Sequence, residues 1–157
     1  MEEYLLEAKE ELKRLEHIIY VSLKYTRTVD VIINALNRMV GTFDSIVEAF
    51  MKKAEIDGTI ESMPRSPALK AKKLRELYPE DPILQKYLTF YDFLKKVLKH
   101  PYQKRQEYRR HVNLIADFEN STAEMNIDNL VNCEKFVHQF LKFSQERILG
   151  KKDDDDS

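Results

Sequence analysis

Two apolar stripes at helical spacing occupy residues 3 to 57, with neither glycine nor proline separating them. The first is Leu5, Ala8, Leu12, Leu15 and Ile19; the second begins at Val29 and runs through Ile32, Ile33, Leu36, Val40, Phe43, Val47 and Phe50. Steps of three and four residues put each set on one face of an amphipathic helix. A single helix over this stretch would be about 80 Å long at about 1.5 Å per residue. That is far beyond the diameter of a 157-residue chain. The chain must therefore turn back on itself. Tyr25-Thr26-Arg27-Thr28 is the expected place, because Thr26 or Thr28 can cap the second helix. Gly41 is the other candidate break, but the apolar stripe continues through it. Asp57-Gly58 supplies the stop for the second helix.

The rest of the chain extends this pattern. Gly58, Ser62, Pro64, Ser66 and Pro67 mark a connecting loop. Pro67 opens a short helix carrying Leu69, Leu74 and Leu77, which Pro79 ends. Asp81-Pro82 starts another helix, with Leu84, Leu88, Tyr91 and Leu94 in its apolar set, and Pro101 breaks it. Residues 112–127 have two readings. Val112, Leu114 and Ala116, then Ala123, Met125 and Ile127, alternate as in a β-hairpin turning at Glu119-Asn120-Ser121; a loop followed by a helix is the other reading. Asn126 or Asp128 caps a last helix that ends at Gly150. With only 3 Gly and 5 Pro, a turn-rich β-sandwich is excluded in favour of a mainly α antiparallel bundle of four to six helices. The length expects one domain over 1–150, followed by a charged, disordered tail over 151–157.

Composition also narrows function. The single cysteine, Cys133, excludes an internal disulfide framework and reads as a small core residue. No apolar run approaches the roughly 20 residues of a bilayer crossing. The start, Met1-Glu2-Glu3-Tyr4, lacks a secretory apolar segment. No membrane association is expected, and the expected location is the cytoplasm. The four histidines show neither paired i, i+4 spacing nor an HExxH pattern, so no metal ligands are assigned. Gly-rich phosphate loops and nucleophile elbows are missing, and no cofactor is expected.

Charge is uneven under a formal net of −1. Between Lys95 and His111 seven cations face a single acid, Glu107, whereas the first 16 residues are acidic. One expectation is that the acidic first helix lies over the basic segment and neutralises it. The other is a local anion site for phosphate or an RNA backbone. Two polar clusters bear on this choice. Tyr25, Arg27 and Asp30, together with Ser22, Thr26 and Thr28, sit at the reversal, where they either cap helices or line a polar cleft; Tyr108 is assigned to the same cleft. The second cluster is Lys104, Arg105, Arg109, Arg110 and His111. Histidine carries a proton near neutral pH, and arginine stabilises charge on phosphoryl oxygens through its planar fork. On a continuous helix Arg105 and His111 point about 120° apart. They converge only if the helix ends near Arg109 or Arg110.

The spacing Arg105-x5-His111 at an expected helix end resembles the motif of HEPN domains, which pairs an arginine with a histidine a few residues on. Tyr20–Ile33 (YVSLKYTRTVDVII), the stretch from Tyr108 (YRRHVNLIADF) and the segment from Asn126 (NIDNL) are similar to a group of prokaryotic proteins of this type. In place of the small polar residue that often follows the arginine, this chain has Gln106. HEPN domains are helical bundles, commonly dimers; many are metal-independent ribonucleases and others are non-catalytic partners of nucleotidyltransferases. The resemblance implies that His111 acts as general acid/base and Arg105 as phosphate stabiliser, with Lys104, Arg109 and Arg110 binding phosphate. It implies RNA as a partner, a homodimer, and metal-independent endoribonuclease activity or RNA binding alone. The alternative expectation is a non-catalytic helical scaffold with a protein partner. In that reading the rings of Phe90, Tyr91, Phe93, Phe136, Phe140 and Phe143 exceed what one thin bundle buries and serve a homodimer.

Overall fold

The first apolar stripe folds as helix α1 (Glu2–His17), with Glu2 and Glu3 at its positive N-terminal end and Leu5, Ala8, Leu12 and Leu15 buried. The computed structural model describes residues 1–150, so the expected tail over 151–157 lies outside the described residues. The helical path continues through a π-helical turn (Ile18–Ser22) into the short α2 (Leu23–Tyr25). It reverses where the sequence places the break. Thr26 is extended, and Thr28 caps α3 (Val29–Ile56) by accepting from Val31 N at 3.3 Å. Helix α3 runs unbroken through Gly41, whose bare Cα lies beside the Glu11 carboxylate of α1. A Cβ there would come within 3.2 Å of Glu11 Oε2, so the small residue suits a close approach of the two helices.

Gly58 adopts φ of 73° just past α3, the left-handed conformation that glycine tolerates. Ser66 and Asp81 cap α4 (Pro67–Leu77) and α5 (Pro82–Lys99), each helix starting on its proline. Helix α5 ends at Lys99, because His100 takes the extended conformation favoured before a proline. Tyr102–Arg105 then forms strand β1, antiparallel to β2 (Asn113–Phe118), which pairs in turn with β3 (Ser121–Asn126). The hairpin reading of 112–127 thus holds, and the loop-then-helix reading does not. The expectation that the basic segment continues a helix to Arg109 or Arg110 is overturned: its backbone pairs with β2. Asn126, rather than Asp128, caps α6 (Ile127–Leu149) in a reciprocal pair with Asn129.

One hydrophobic cluster takes side chains from every helix and from β2 and β3. Leu114, Ala116 and Phe118 turn one face of the sheet onto the bundle, while β1 is exposed along its length. The aromatic surplus is absorbed in the same core. Phe43 stacks on Tyr91 and Phe140 at centroid distances of 5.2 and 4.8 Å, and Tyr87 stacks on Phe140 at 4.6 Å. Phe90, Phe93, Phe136 and Phe143 are half-buried against it. The rings that suggested a homodimer are accommodated within one chain. Cys133 is half-buried, and burial pushes its thiol up to about 11, as befits an inert packing residue.

Candidate nucleic-acid interface

The break at Thr26–Thr28 leaves the first N–H groups of a 28-residue helix without intrahelical partners. Thr28 satisfies Val31 N. Val29 N is satisfied from far along the chain, donating to Glu107 Oε2 at 3.0 Å. Beside it Tyr108 N donates to Arg27 O at 2.6 Å, and Lys104 pairs with Asp30 at 3.2 Å. The β1–β2 hairpin loop is thereby docked onto the corner between α2 and α3. The two polar clusters of the sequence, more than 70 residues apart, form one surface.

Docking sets the loop's unusual backbone. Gln106 and Tyr108 have φ of 56° and 65°, left-handed values that non-glycine residues rarely adopt. Glu107, held on Val29 N, lies between them. Arg109 N donates to Gln106 O and Val112 N to Arg109 O, both at 3.0 Å, closing the loop. The outcome is a hydrogen-bonded tip with an exposed outer face. Tyr108 is 77% exposed, and Tyr25, at the end of α2, is 85% exposed.

The basic residues are not equivalent. Lys95 lies 4.0 Å from the Tyr91 ring centroid and Lys96 lies 4.2 Å from that of Phe118, so both serve packing. Lys104 is committed to Asp30, whose hydrogen bond and charge hold its ammonium above the ordinary lysine value; Glu107 adds a longer contact at 3.9 Å. Lys104, expected to bind phosphate, is thus engaged in an exposed ion pair, unlike Arg109 and Arg110. Arg105 is exposed and donates to Gln103 Oε1 at 2.6 Å. Arg109, Arg110 and His111 are exposed and make no side-chain hydrogen bond or ion pair among the described residues. Arg27 is half-buried, and its Nε has no acceptor among them. The acidic helix α1 does not cover this segment: its Glu11 pairs with Arg14 and Arg38, and Glu16 approaches His138. The expected neutralisation is therefore replaced by pairing within and between other helices.

Nor is the polar cleft an open anion pocket. Tyr108 meets Arg27 through its backbone, Asp30 is taken by Lys104, and Tyr25 projects to solvent. Arg105 and His111 do not sit at a helix end. They flank the hairpin loop, whose two ends the register pairing of Arg105 with Asn113, two residues beyond His111, brings side by side.

No family model matches this chain, and neither does a curated protein or a solved structure. The site is thus argued from its own geometry. Sequence reasoning missed Glu107, which counts in the charge tally only as the lone acid of a basic run. A lone acid flanked by a tyrosine and cations signals a structural role, but its partner N–H lies 78 residues away and has no sequence mark. Among the described residues no helix is long and apolar enough to cross a membrane.

Proposed function

We propose that the protein binds single-stranded RNA on the surface formed by the β1–β2 loop and the α2–α3 corner. The observation that carries this reading is the pair of exposed tyrosines, Tyr25 and Tyr108, on two loops joined by the Tyr108 N to Arg27 O bond and flanked by unpaired Arg109 and Arg110. Tyrosine rings offer faces on which unstacked bases settle, and arginines neutralise phosphates. Bases in a duplex are already stacked, so the surface favours single strands. The choice of RNA rests on the resemblance to HEPN domains. In this reading Arg105 joins the phosphate contacts by leaving Gln103.

Anisotropy titration of a labelled oligoribonucleotide tests the reading, with duplex RNA and single-stranded DNA alongside. Tyr108→Ala and Tyr25→Ala are each expected to cost about 1–3 kcal/mol of binding. Arg109→Ala is expected to reduce the salt slope by about 0.7. Tyrosine variants that bind like the wild type would defeat the proposal.

A second reading is favoured by His111, which is exposed on this same loop and engaged by no described side chain. It adds cleavage to binding. His111 would accept the proton of a ribose 2′-hydroxyl as that oxygen bonds to the adjacent phosphorus, and the bond from phosphorus to the 5′-oxygen breaks as that oxygen takes a proton from water. Arg105 would steady the charge on the remaining phosphoryl oxygens. Incubation with RNA in EDTA beside His111→Ala decides it: product from the wild type alone supports cleavage, and product from both or neither excludes it.

A further inference from the structure

A second constellation lies across the seam between α1 and α6, apart from the RNA-binding surface. Glu16 lies in the last turn of α1 and Tyr20 follows four residues later in the π-helical turn; Glu134 and His138 are four apart on α6. Each pair shares one helix face, and the two faces meet. One ligand atom from each of Glu16, Glu134 and His138 lies within 4.8 Å of the others. His138 Nε2 is 3.8 Å from Glu16 Oε1, and the Tyr20 hydroxyl donates to Glu134 Oε2 at 3.2 Å.

We propose that Glu16, Glu134 and His138 bind a divalent transition-metal ion of the zinc class, with Tyr20 orienting Glu134 from the outer shell. Glu134 is the deciding residue. It is 5% exposed, yet no lysine, arginine or histidine pairs with it among the described residues, and its Oε1 has no hydrogen-bond donor among them. A largely buried carboxylate whose second oxygen takes no protein donor is a ready ligand for a cation. With Glu16 it presents two negative charges, which a 2+ ion cancels. An imidazole nitrogen beside carboxylate oxygens suits zinc and its neighbours better than magnesium or calcium.

The geometry needs little change. Bonds of about 2.0–2.2 Å place tetrahedral ligand atoms about 3.3 Å apart. Glu16 and His138 have partly exposed side chains free to close that gap. Both also line a groove of about 690 Å³ floored by Leu12 and Leu141, leaving the fourth coordination position open to it. Lys9, Lys13, Lys135 and Lys142 border the groove and oppose a cation. All four are exposed, and none forms an ion pair with Glu16 or Glu134 among the described residues, so water screens them. The Tyr20 hydroxyl, already donating to Glu134 Oε2, holds that carboxylate from outside the coordination shell.

Calorimetric titration of the EDTA-stripped full chain with Zn²⁺, and visible absorption with Co²⁺, test the site. One equivalent is expected, with tetrahedral cobalt bands and at least about 100-fold preference over Mg²⁺. The surface variant His138→Ala should lose the bands, and Tyr20→Phe should weaken binding about 10- to 100-fold. His17→Ala, altering an exposed neighbour, should change nothing. Glu134→Gln should also abolish binding; if that buried change unfolds the chain, circular dichroism shows it and His138→Ala still decides. A wild type that takes up no Zn²⁺ or Co²⁺ overturns the proposal, as does a His138→Ala variant that binds with wild-type affinity.

Discussion

Removing the Glu107 carboxylate tests whether the hairpin loop and the α3 N-terminus are one unit. In Glu107→Ala, Val29 N loses its acceptor. Val29 is fully buried and Thr28 already serves Val31 N, so no described group replaces it. A hydrogen bond to a charged acceptor contributes about 1.5–3 kcal/mol. A carboxylate at a helix N-terminus adds about 0.3–1 kcal/mol. The contact with Lys104, at 3.9 Å between partly exposed groups, adds close to nothing. The expected loss is therefore about 2–3 kcal/mol, concentrated where Gln106 and Tyr108 must be held in left-handed conformations. The Tyr108 N to Arg27 O bond and the loop's own Arg109 N to Gln106 O bond still resist their relaxation. Opening of the loop should become about 30- to 150-fold more frequent. Amide exchange at Val29 and Tyr108 reports this directly, and the melting temperature should fall by about 4–10 °C. Glu107→Gln keeps a neutral acceptor and should recover roughly half. Unchanged exchange at both amides, with a Tm within about 1 °C of wild type, would refute the docking argument.

Three further substitutions probe other parts of the argument. Gln106→Gly relieves a left-handed cost of about 1–2 kcal/mol against a glycine entropy penalty of about 0.5–1 kcal/mol, so urea denaturation should show a gain of about 0.5–1 kcal/mol. Gly41→Ala gains about 1 kcal/mol of helix propensity, and its Cβ meets only the movable end of Glu11; a net gain of about 0.5 kcal/mol is expected even if the exposed bridge to Arg38 is lost. Burial holds the Asp44 carboxyl above its ordinary value, with the Tyr91 hydroxyl opposing the shift. The native state then binds more proton than the unfolded chain between those two values. Asp44 accordingly contributes stability below the ordinary carboxylate range that is lost as pH rises through the raised value. Asp44→Asn should flatten the fall of Tm across that window, while Tyr91→Phe, removing the opposing bond, should steepen it.

The helices were legible because their signals are local. Thr28, Ser66, Asp81 and Asn126 all cap where capping chemistry suggests, and Gly58 and Gly150 follow helices at positive φ. Strand β1 was not legible. Tyr102, Gln103, Lys104 and Arg105 are all exposed and carry no apolar alternation, so the strand exists through backbone pairing with β2 alone. Periodicity cannot report an edge strand that buries no side chain. The candidate site divides in the same way. Its residue types were visible as two polar clusters, but their joining depends on backbone bonds such as Tyr108 N to Arg27 O, to which side-chain identity is blind. The α1–α6 constellation leaves no mark in the spacing of histidines alone. Glu134 and His138 form a mixed pair completed from another helix.

Helix α3 places a limit on where a phosphate can sit. An uncapped helix N-terminus is a natural anion site, and the hydroxyls and arginine around Thr26–Thr28 suggest one. Glu107 already fills that position with the protein's own carboxylate, and Asp30 and Lys104 close the flank. A phosphate arriving there would have to displace a charge tethered by the strained loop, whereas Arg109 and Arg110 offer cations with no internal competitor among the described residues. On the proposed reading, RNA should consequently contact the outer face of the loop and leave the helix terminus alone. Glu107→Ala then separates two effects: it loosens Tyr108, which on the proposed reading weakens RNA binding, yet it exposes the α3 N-terminus to inorganic phosphate. Chemical-shift titration with phosphate should move the Val29 and Val31 amides in that variant and not in the wild type. Equal shifts in both proteins would mean that the carboxylate does not occupy the terminus in solution, and the outer-face assignment would fall with it.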